Sequence, residues 1–345
     1  MTGQQAATSW RKCLTGAPAW LWVLGLSAVM TAPHALAQTV ATAPSQAAAA
    51  GGDGALLPME VHQVAPQVYY VQGVSALGSP ANQNFISNAG FVVTDDSVVV
   101  IDALGSPALA ERLVQAIKKV TPKPISHVLL THYHADHIYG LQVFKALGAK
   151  IVAQDKGREY LNSETAALRL VASRQELAPW INADTQMVAA DEWVAGATTL
   201  KIGGLGFLLQ PMGPAHTQED MAVFIEQTGA AFVGDVVFRN RIPYVGQADS
   251  RHWIASLDTL LKLPIKVMVP GHGPVSTSPL EDVALTRDYL VFLRQAMSKA
   301  AQELEPFESA YAATDWSRFD KLPLFKEANR MNAYNTYLLL EQEKP

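Results

Sequence analysis

Four side chains able to ligate a metal fall within six positions, in the run His132-Tyr133-His134-Ala135-Asp136-His137. A divalent metal needs several neutral imidazoles or carboxylates converging on one point, and a tight loop leaving a rigid strand supplies them. The apolar stretch Ile125 to Leu130 just before the run reads as that strand. The spacing is too short for a Cys2His2 finger, and it differs from the H-E-x-x-H helix, where two histidines share one helical face. Three further positions have the same character. His216 stands in Gly213-Pro214-Ala215-His216-Thr217, Asp235 ends Ala231-Phe232-Val233-Gly234-Asp235, and His272 stands in Pro270-Gly271-His272-Gly273. Each follows a strand-like segment and has glycine close by, which lets backbone approach a ligand. His62, His127 and His252 have no such company and read as ordinary surface or core residues.

Together these seven residues resemble the ligand set of the metallo-β-lactamase superfamily, and within it the glyoxalase II-like dinuclear branch. The resemblance runs from about Val61 to Ser278, with all five motifs in the family's order and Ile101-Asp102 as the first. It implies that His132, His134 and His216 hold one metal, that Asp136, His137 and His272 hold the other, and that Asp235 bridges both. Asp136 and Asp235 are thus the carboxylates expected at the centre of the chemistry, and Asp102 is expected to orient a ligand by accepting a hydrogen bond. Two zinc ions per chain are implied, with iron or manganese as alternatives, because His/Asp sites accept several metals.

Two-metal hydrolases hold their ions roughly 3.5–4 Å apart, and the pKa of water bound there falls to about 7. The resemblance therefore implies a metal-bridged hydroxide attacking a thioester, lactone or related acyl bond of a small-molecule substrate. Zinc β-lactamases usually lack a carboxylate at the Asp235 position, so β-lactam hydrolysis is expected as a side activity. Persulfide dioxygenases look similar but hold one iron with two histidines and a carboxylate, which makes a mononuclear iron oxidoreductase the alternative. A non-catalytic metal-binding partner of an exported redox system is a third reading, opposed by the complete ligand set. The oligomeric state is left open.

The segment Phe238 to Asp249 is similar to that of exported relatives that accompany sulfur-oxidation or quinoprotein systems. It places Arg239, Arg241 and Tyr244 just beyond a ligand, where one of them is expected to hold an anionic or polar substrate group; surface ion pairing is the alternative. Tyr139 stands just before Gly140 where many relatives carry glycine; it either narrows the pocket or packs on the first helix turn. Arg287, Arg294, Lys299 and Lys321 supply basic charge near the C-terminus, but no spacing among them compels a glutathione site.

The elements that must position these residues follow from period and punctuation. Val61 to Gln72 and Asn84 to Asp102 are rich in Val, Ile, Phe and Tyr, with Asn88-Ala89-Gly90 and Thr94-Asp95-Asp96 read as hairpin turns. Ser106-Pro107 opens a helix whose Leu109, Leu113, Ile117 and Val120 share a face. Ile138 to Leu147 reads as a helix stopped by Gly148, and Lys150 to Ala153 as a strand. Gln154 to Asp191 breaks the alternation, with helix over Arg158 to Glu176; it is either a wall of the site or a plain surface excursion. Strands return at Thr198 to Ile202, Gly206 to Gln210, Met221 to Glu226, Ala230 to Gly234 and Lys266 to Val269. Helices are expected at Ser250 to Leu263, Leu280 to Leu304 and Asn332 to Glu343. Strands then helices, in two similar halves, predict an α+β protein, a four-layer αββα sandwich with a C-terminal helical extension. The expected divisions are a leader at 1–37, a flexible linker at 38–60, the metal-binding domain at 61–278 and the extension at 279–345.

The leader rests on basic Arg11-Lys12, an apolar stretch from Leu14 to Met30, and Ala35-Leu36-Ala37 before Gln38, a small-x-small cleavage pattern. Cleavage after Ala37 would send the chain to the periplasm or outside the cell, without a stable membrane span; an uncleaved anchor is the alternative. Ser9-Trp10-Arg11-Lys12-Cys13-Leu14 resembles a twin-arginine signal with Lys in place of the second Arg. Cys13 is the single cysteine, so the mature chain must rely on its core rather than on disulfides. The net charge of −5 becomes −7 without Arg11 and Lys12, which argues against a nucleic-acid partner.

Overall fold

A computed structural model describes residues 56–246 and 248–343. The expected leader and residues 38–55 of the linker lie outside the described residues, and no described helix is long and apolar enough to cross a membrane. The first sheet has seven strands in chain order: β1 Val61–Ala65, β2 Val68–Val71, β3 Ala89–Val93, β4 Val98–Ile101, β5 Ile125–Leu129, β6 Lys150–Gln154 and β7 Glu192–Val194. β1 to β4 pair antiparallel, and β4 to β7 pair parallel. Parallel neighbours need crossovers, and helices provide them. These are α1 Pro107–Val120, the short α2 Ala135–Ile138 and α3 Leu141–Ala146, then α4 Gly157–Leu161 and α5 Glu164–Glu176. The second sheet repeats the scheme with β8 Thr198–Ile202, β9 Leu205–Pro211, β10 Met221–Ile225 and β11 Ala230–Phe232 antiparallel. The helix α6 Ser250–Leu260 then leads to β12 Val267–Val269, parallel to β11. Three helices follow, α7 Pro279–Glu303, α8 Phe307–Ala313 and α9 Phe325–Gln342.

The four-layer αββα arrangement expected from the sequence is present, and alternation along the strands explains it. In β4, Val98 and Val100 face α1, whereas Val99 and Ile101 face the second sheet. In β10, Met221, Val223 and Ile225 face the first sheet, and Ala222 and Phe224 face the C-terminal helices. Strands covered on both faces read as unbroken apolar runs, as Val98 to Ile101 does. α7, α8 and α9 share one apolar cluster with Phe238, Ile242, Val245 and Trp253, so the chain beyond Ser278 completes the outer layer of the second sheet.

Several local expectations need correction. α1 has the Ser106 cap, its hydroxyl accepting from Leu109 N at 3.3 Å, but Val120 is exposed because the period does not say where the neighbouring layer stops. The helix expected over Ile138 to Leu147 is broken into α2 and α3. At the break, a Cβ on Gly140 would lie 2.0 Å from the Ala103 carbonyl oxygen, so the chain passes too close for any side chain. Tyr139 is buried in the first-sheet core with its hydroxyl 3.3 Å from Ser173 Oγ; it packs under α5 and does not narrow a pocket. Asn88-Ala89-Gly90 is not a hairpin turn: Ala89 and Gly90 begin β3, and Asn88 is a buried clamp described below. β7 and α8 are short elements that the residue pattern did not announce.

Candidate metal centre

β5 delivers the chain to the edge where the two sheets open, and the loop Leu130 to His134 runs into the first turn of α2. His132 and His134 therefore come from the loop, and Asp136 and His137 from the helix start. His216 arrives on the loop between β9 and β10, Asp235 on a short turn after β11, and His272 on the loop after β12. These four strand ends bring all seven residues together. Their ligand atoms form two groups, His132, His134, His216 and Asp235 in one, and Asp136, His137 and His272 in the other, each within 4.8 Å. His134 Nδ1 and His216 Nε2 lie 2.9 Å apart. His272 Nε2 and His137 Nε2 lie 3.3 and 3.6 Å from Asp136 Oδ2. Asp235 stands between the groups. Its Oδ1 is 3.4 Å from His137 Nε2, and its Oδ2 is 3.4 Å from His216 Nε2 and 3.2 Å from His272 Nε2. Gly271 permits this placement, because a Cβ there would lie 2.0 Å from Asp235 Oδ1.

The outer nitrogens of four of the five imidazoles are occupied. His137 Nδ1 lies 2.8 Å from Asp102 Oδ2, and Asp102 also accepts from Thr131 N and Thr131 Oγ1, each at 2.8 Å. His216 Nδ1 donates to the Tyr244 carbonyl at 2.9 Å, and His272 Nδ1 to the Ile86 carbonyl at 2.7 Å. His132 Nδ1 is 3.1 Å from Thr131 Oγ1. A donated Nδ1 proton fixes the tautomer and leaves the Nε2 lone pair facing inward. Inside, His132 Nε2, His137 Nε2 and Asp235 Oδ1 are buried without a hydrogen-bond partner. Buried polar atoms are nearly always paired. Orphans of this kind, converging from neutral imidazoles and carboxylates, fit a bound cation.

Electrostatics agree. Burial, reinforced by neighbouring histidines, holds His132 well below its ordinary pKa, and burial with His134 nearby lowers His216 to about 3. Burial also lowers His134. These three are neutral, as ligands must be. Burial opposes charge on His137, but Asp136 and Asp102 outweigh it and raise the pKa well above the ordinary value. His272 is raised similarly by Asp235 and Asp136 against burial. Burial resists ionisation of Asp235 and Asp136, yet the facing histidines hold both carboxyls below the usual range. A proton competes for His137 and His272 at neutral pH, but for His132, His134 and His216 only in more acid solution. On acidification below neutrality, metal held by the Asp136, His137 and His272 group should leave first, and metal held by His132, His134, His216 and Asp235 only at lower pH. Metal content after dialysis at stepped pH checks this; simultaneous release in one step would contradict it.

Of the expected substrate residues, only part are near the centre. Arg239 is a correction: its guanidinium pairs with Asp282 on α7 at 2.8 Å and donates to the Val275 carbonyl at 2.7 Å, so it is a strut between loop and helix. Arg241 is 5 % exposed, makes no ion pair among the described residues, and feels the charges of Asp235 and Asp136. Its Nε donates to the Ile242 carbonyl at 3.3 Å, and its guanidinium lies over Phe238, whose ring stacks on His272. Tyr244 is exposed with its ring 6.1 Å from that of His216, and its backbone carbonyl makes the closer contact. Of the C-terminal basic residues, Arg294 is paired with Glu343 at 2.6 Å and Arg287 with Asp258 at 3.4 Å.

Other contributors carried no sequence signal. Tyr160 on α4 sets its ring edge-on to His134 at 6.1 Å, so the Gln154 to Asp191 insertion does form a wall of the site. Trp180 Nε1 ties that insertion to the Pro80 carbonyl at 2.9 Å. Asn88 holds the His272 loop, donating from Nδ2 to the carbonyls of Pro270 and Gly273, each at 2.8 Å.

Comparisons with known proteins agree with this geometry. The family model described as "Metallo-beta-lactamase superfamily" matches residues 83–272, a span that holds all seven residues and Asp102. A "Metallo-beta-lactamase type 2" of Bacillus sp. (strain 170) is 26% identical over 200 residues, covering 56% of this chain and 69% of that protein. Among solved structures, a metallo-beta-lactamase from Pontibacter korlensis superposes with a TM-score of 0.52 at 23% identity, covering 68% of this chain and 99% of that one. A stereoselective inverting sec-alkylsulfatase from Pseudomonas sp. superposes with a TM-score of 0.67 at 18% identity, covering 81% of this chain and 50% of that one. At these identities the two structures speak to the fold alone.

Proposed function

The chain belongs to the metallo-beta-lactamase superfamily and is a metal-dependent hydrolase of it, and from that premise we propose that it is an exported dinuclear zinc enzyme that cleaves a thioester, lactone or related acyl bond. The observation that carries this reading is Asp235, whose carboxylate lies within 3.4 Å of histidines of both groups, His137 and His272 of one and His216 of the other. A shared carboxylate offsets the repulsion between two dications held close together. In this reading His132, His134 and His216 hold one ion, Asp136, His137 and His272 the other, and Asp235 both, as in the glyoxalase II-like branch. When bound, such a pair supplies Lewis acidity and a nucleophile ionised near neutral pH.

The remaining roles belong to the chain itself. Asp102, Thr131 and the carbonyls of Ile86 and Tyr244 hold the imidazoles in one tautomer. Tyr160 and Tyr244 wall the approach. Arg241, buried and free of carboxylate partners among the described residues, offers its outer nitrogens to an anionic group of the substrate. The substrate is therefore a small acyl compound carrying a carboxylate or a comparable anion. The leader read at 1–37 directs the enzyme to the periplasm or beyond.

Metal analysis of protein from cells supplied with both zinc and iron tests the reading. About two zinc per chain is expected; about one iron with little zinc would overturn it and favour the persulfide dioxygenase chemistry. A panel of thioesters, lactones and β-lactams, each with and without a carboxylate, then locates the substrate. Arg241→Ala should raise KM for the anionic members by roughly 10- to 100-fold, the worth of a charged bidentate contact. Neutral members should be unaffected; an equal loss on both would remove Arg241 from substrate binding.

A further inference from the structure

We propose that Asn332, on α9, is a positioning residue for the metal held by His216. It acts through the peptide between Tyr244 and Val245. This rests on the reading of His216 as a ligand in a dinuclear centre.

A peptide unit is planar and trans, so fixing its N–H fixes the direction of its C=O. Asn332 Oδ1 accepts from Val245 N at 2.9 Å. The carbonyl at the other end of that same peptide, Tyr244 O, is the acceptor of His216 Nδ1 at 2.9 Å. Asn332 Nδ2 donates to the preceding carbonyl, Pro243 O, at 2.7 Å, and also contacts Tyr289 Oη at 3.0 Å. The side chain therefore grips the backbone on both sides of Tyr244. One acceptor and two donors are needed at one fully buried point, and a carboxamide supplies both while a carboxylate or hydroxyl does not. Two lighter contacts hold the flanks: Asn335 Nδ2 donates to Gly246 O at 2.7 Å, and Ile242 N to Pro323 O at 3.0 Å. The helices that follow the metal-binding motifs thus reach back to set the tautomer of a histidine whose Nε2 lies 3.4 Å from Asp235. They also hold the stretch that begins at Arg241.

Asn329 provides the control. It is equally buried one turn away, bonded to Tyr289 Oη at 2.9 Å and Tyr311 Oη at 3.1 Å, and it has no hydrogen bond to the Tyr244 loop. Asn332→Ala and Asn329→Ala both remove a buried amide and should both lower the melting temperature. Their metal affinities should differ. In chelator competition on the zinc-loaded full chain, Asn332→Ala should release one metal at roughly 10- to 100-fold lower chelator concentration, the usual effect of losing a group that orients a ligand. The second metal should be held as in the unmodified protein. Asn329→Ala should hold both. Indistinguishable affinities in the two variants would overturn the proposal. Should Asn332→Ala fail to fold, Asn335→Ala is milder, since that residue is half-buried. It should weaken the same metal by a smaller factor, and unchanged affinity there counts against the proposal. His216→Ala separates the two levels of inference. If it retains both metals, the reading of His216 as a ligand falls, and this proposal with it. If it loses one while Asn332→Ala binds as the unmodified chain does, only the role of Asn332 falls.

Discussion

Asp235→Asn should leave the fold intact and remove at least ~100-fold of kcat/KM, beyond what loss of a mere orienting contact causes. It should also lower the metal content from about two per chain to one or fewer. The substitution keeps the size of the side chain but removes its charge and one of its two acceptor oxygens. Oδ1 lies 3.4 Å from His137 Nε2, and Oδ2 lies 3.2 and 3.4 Å from His272 and His216 Nε2, so this one carboxylate reaches histidines of both groups and no neighbouring side chain can take over all its contacts. Asn also places an amide N–H toward one histidine group, where a cation would be repelled. Tertiary structure should be preserved, because the layers beneath the site are apolar and owe nothing to this carboxylate. Near-ultraviolet circular dichroism, metal analysis and kinetics on one preparation check the prediction together. Two metals and near-normal turnover would mean that Asp235 bridges nothing.

Asp102→Ala should have the largest combined effect on stability and metal binding. The carboxylate accepts three hydrogen bonds, from Thr131 N, Thr131 Oγ1 and His137 Nδ1, and all three donors are buried. Each donor left unpaired costs about 1–3 kcal/mol, so a loss of roughly 3 kcal/mol or more is expected in chemical unfolding. Asp102 also adopts φ +60°, a conformation that Asp and Asn tolerate better than Ala. Freed of its acceptor, His137 can turn, and zinc affinity at that ion should fall roughly 10- to 100-fold. Asp102→Asn keeps the backbone preference and an acceptor oxygen, so it should fall between. Zinc titration that gives the unmodified affinity in Asp102→Ala would show that the contact merely packs.

Both positions carry a signal in the sequence. Asp235 follows a strand and a glycine, at the place in the chain where the pattern of ligands requires a carboxylate. Asp102 closes the run Val98 to Ile101 in the same way. Both sit at strand ends, and strands announce themselves through local alternation. The helix broken at Gly140 was less visible, because Gly140 N donates to the Leu104 carbonyl and its Cα packs against the Ala103 carbonyl, both on a distant loop. Tyr139 was ambiguous for the same reason, its neighbour Ser173 lying 34 positions away.

Arg239 and Arg241 show the limit most plainly. They stand two positions apart on an irregular loop, with no period to separate their directions. Asp282 on α7 captures the first, and the second is left buried beside the metal ligands. Residue types and spacing alone marked the candidate ligands, their order and the strands that carry them, because a metal demands particular donor atoms and a strand has a two-residue period. Tertiary structure alone decided which arginine faces the site, that Tyr160 and Tyr244 wall it, and that the carbonyls of Ile86 and Tyr244 set the tautomers of His272 and His216. Every residue has a carbonyl, so residue type cannot mark the one that matters; only the path of the folded chain brings it to a histidine.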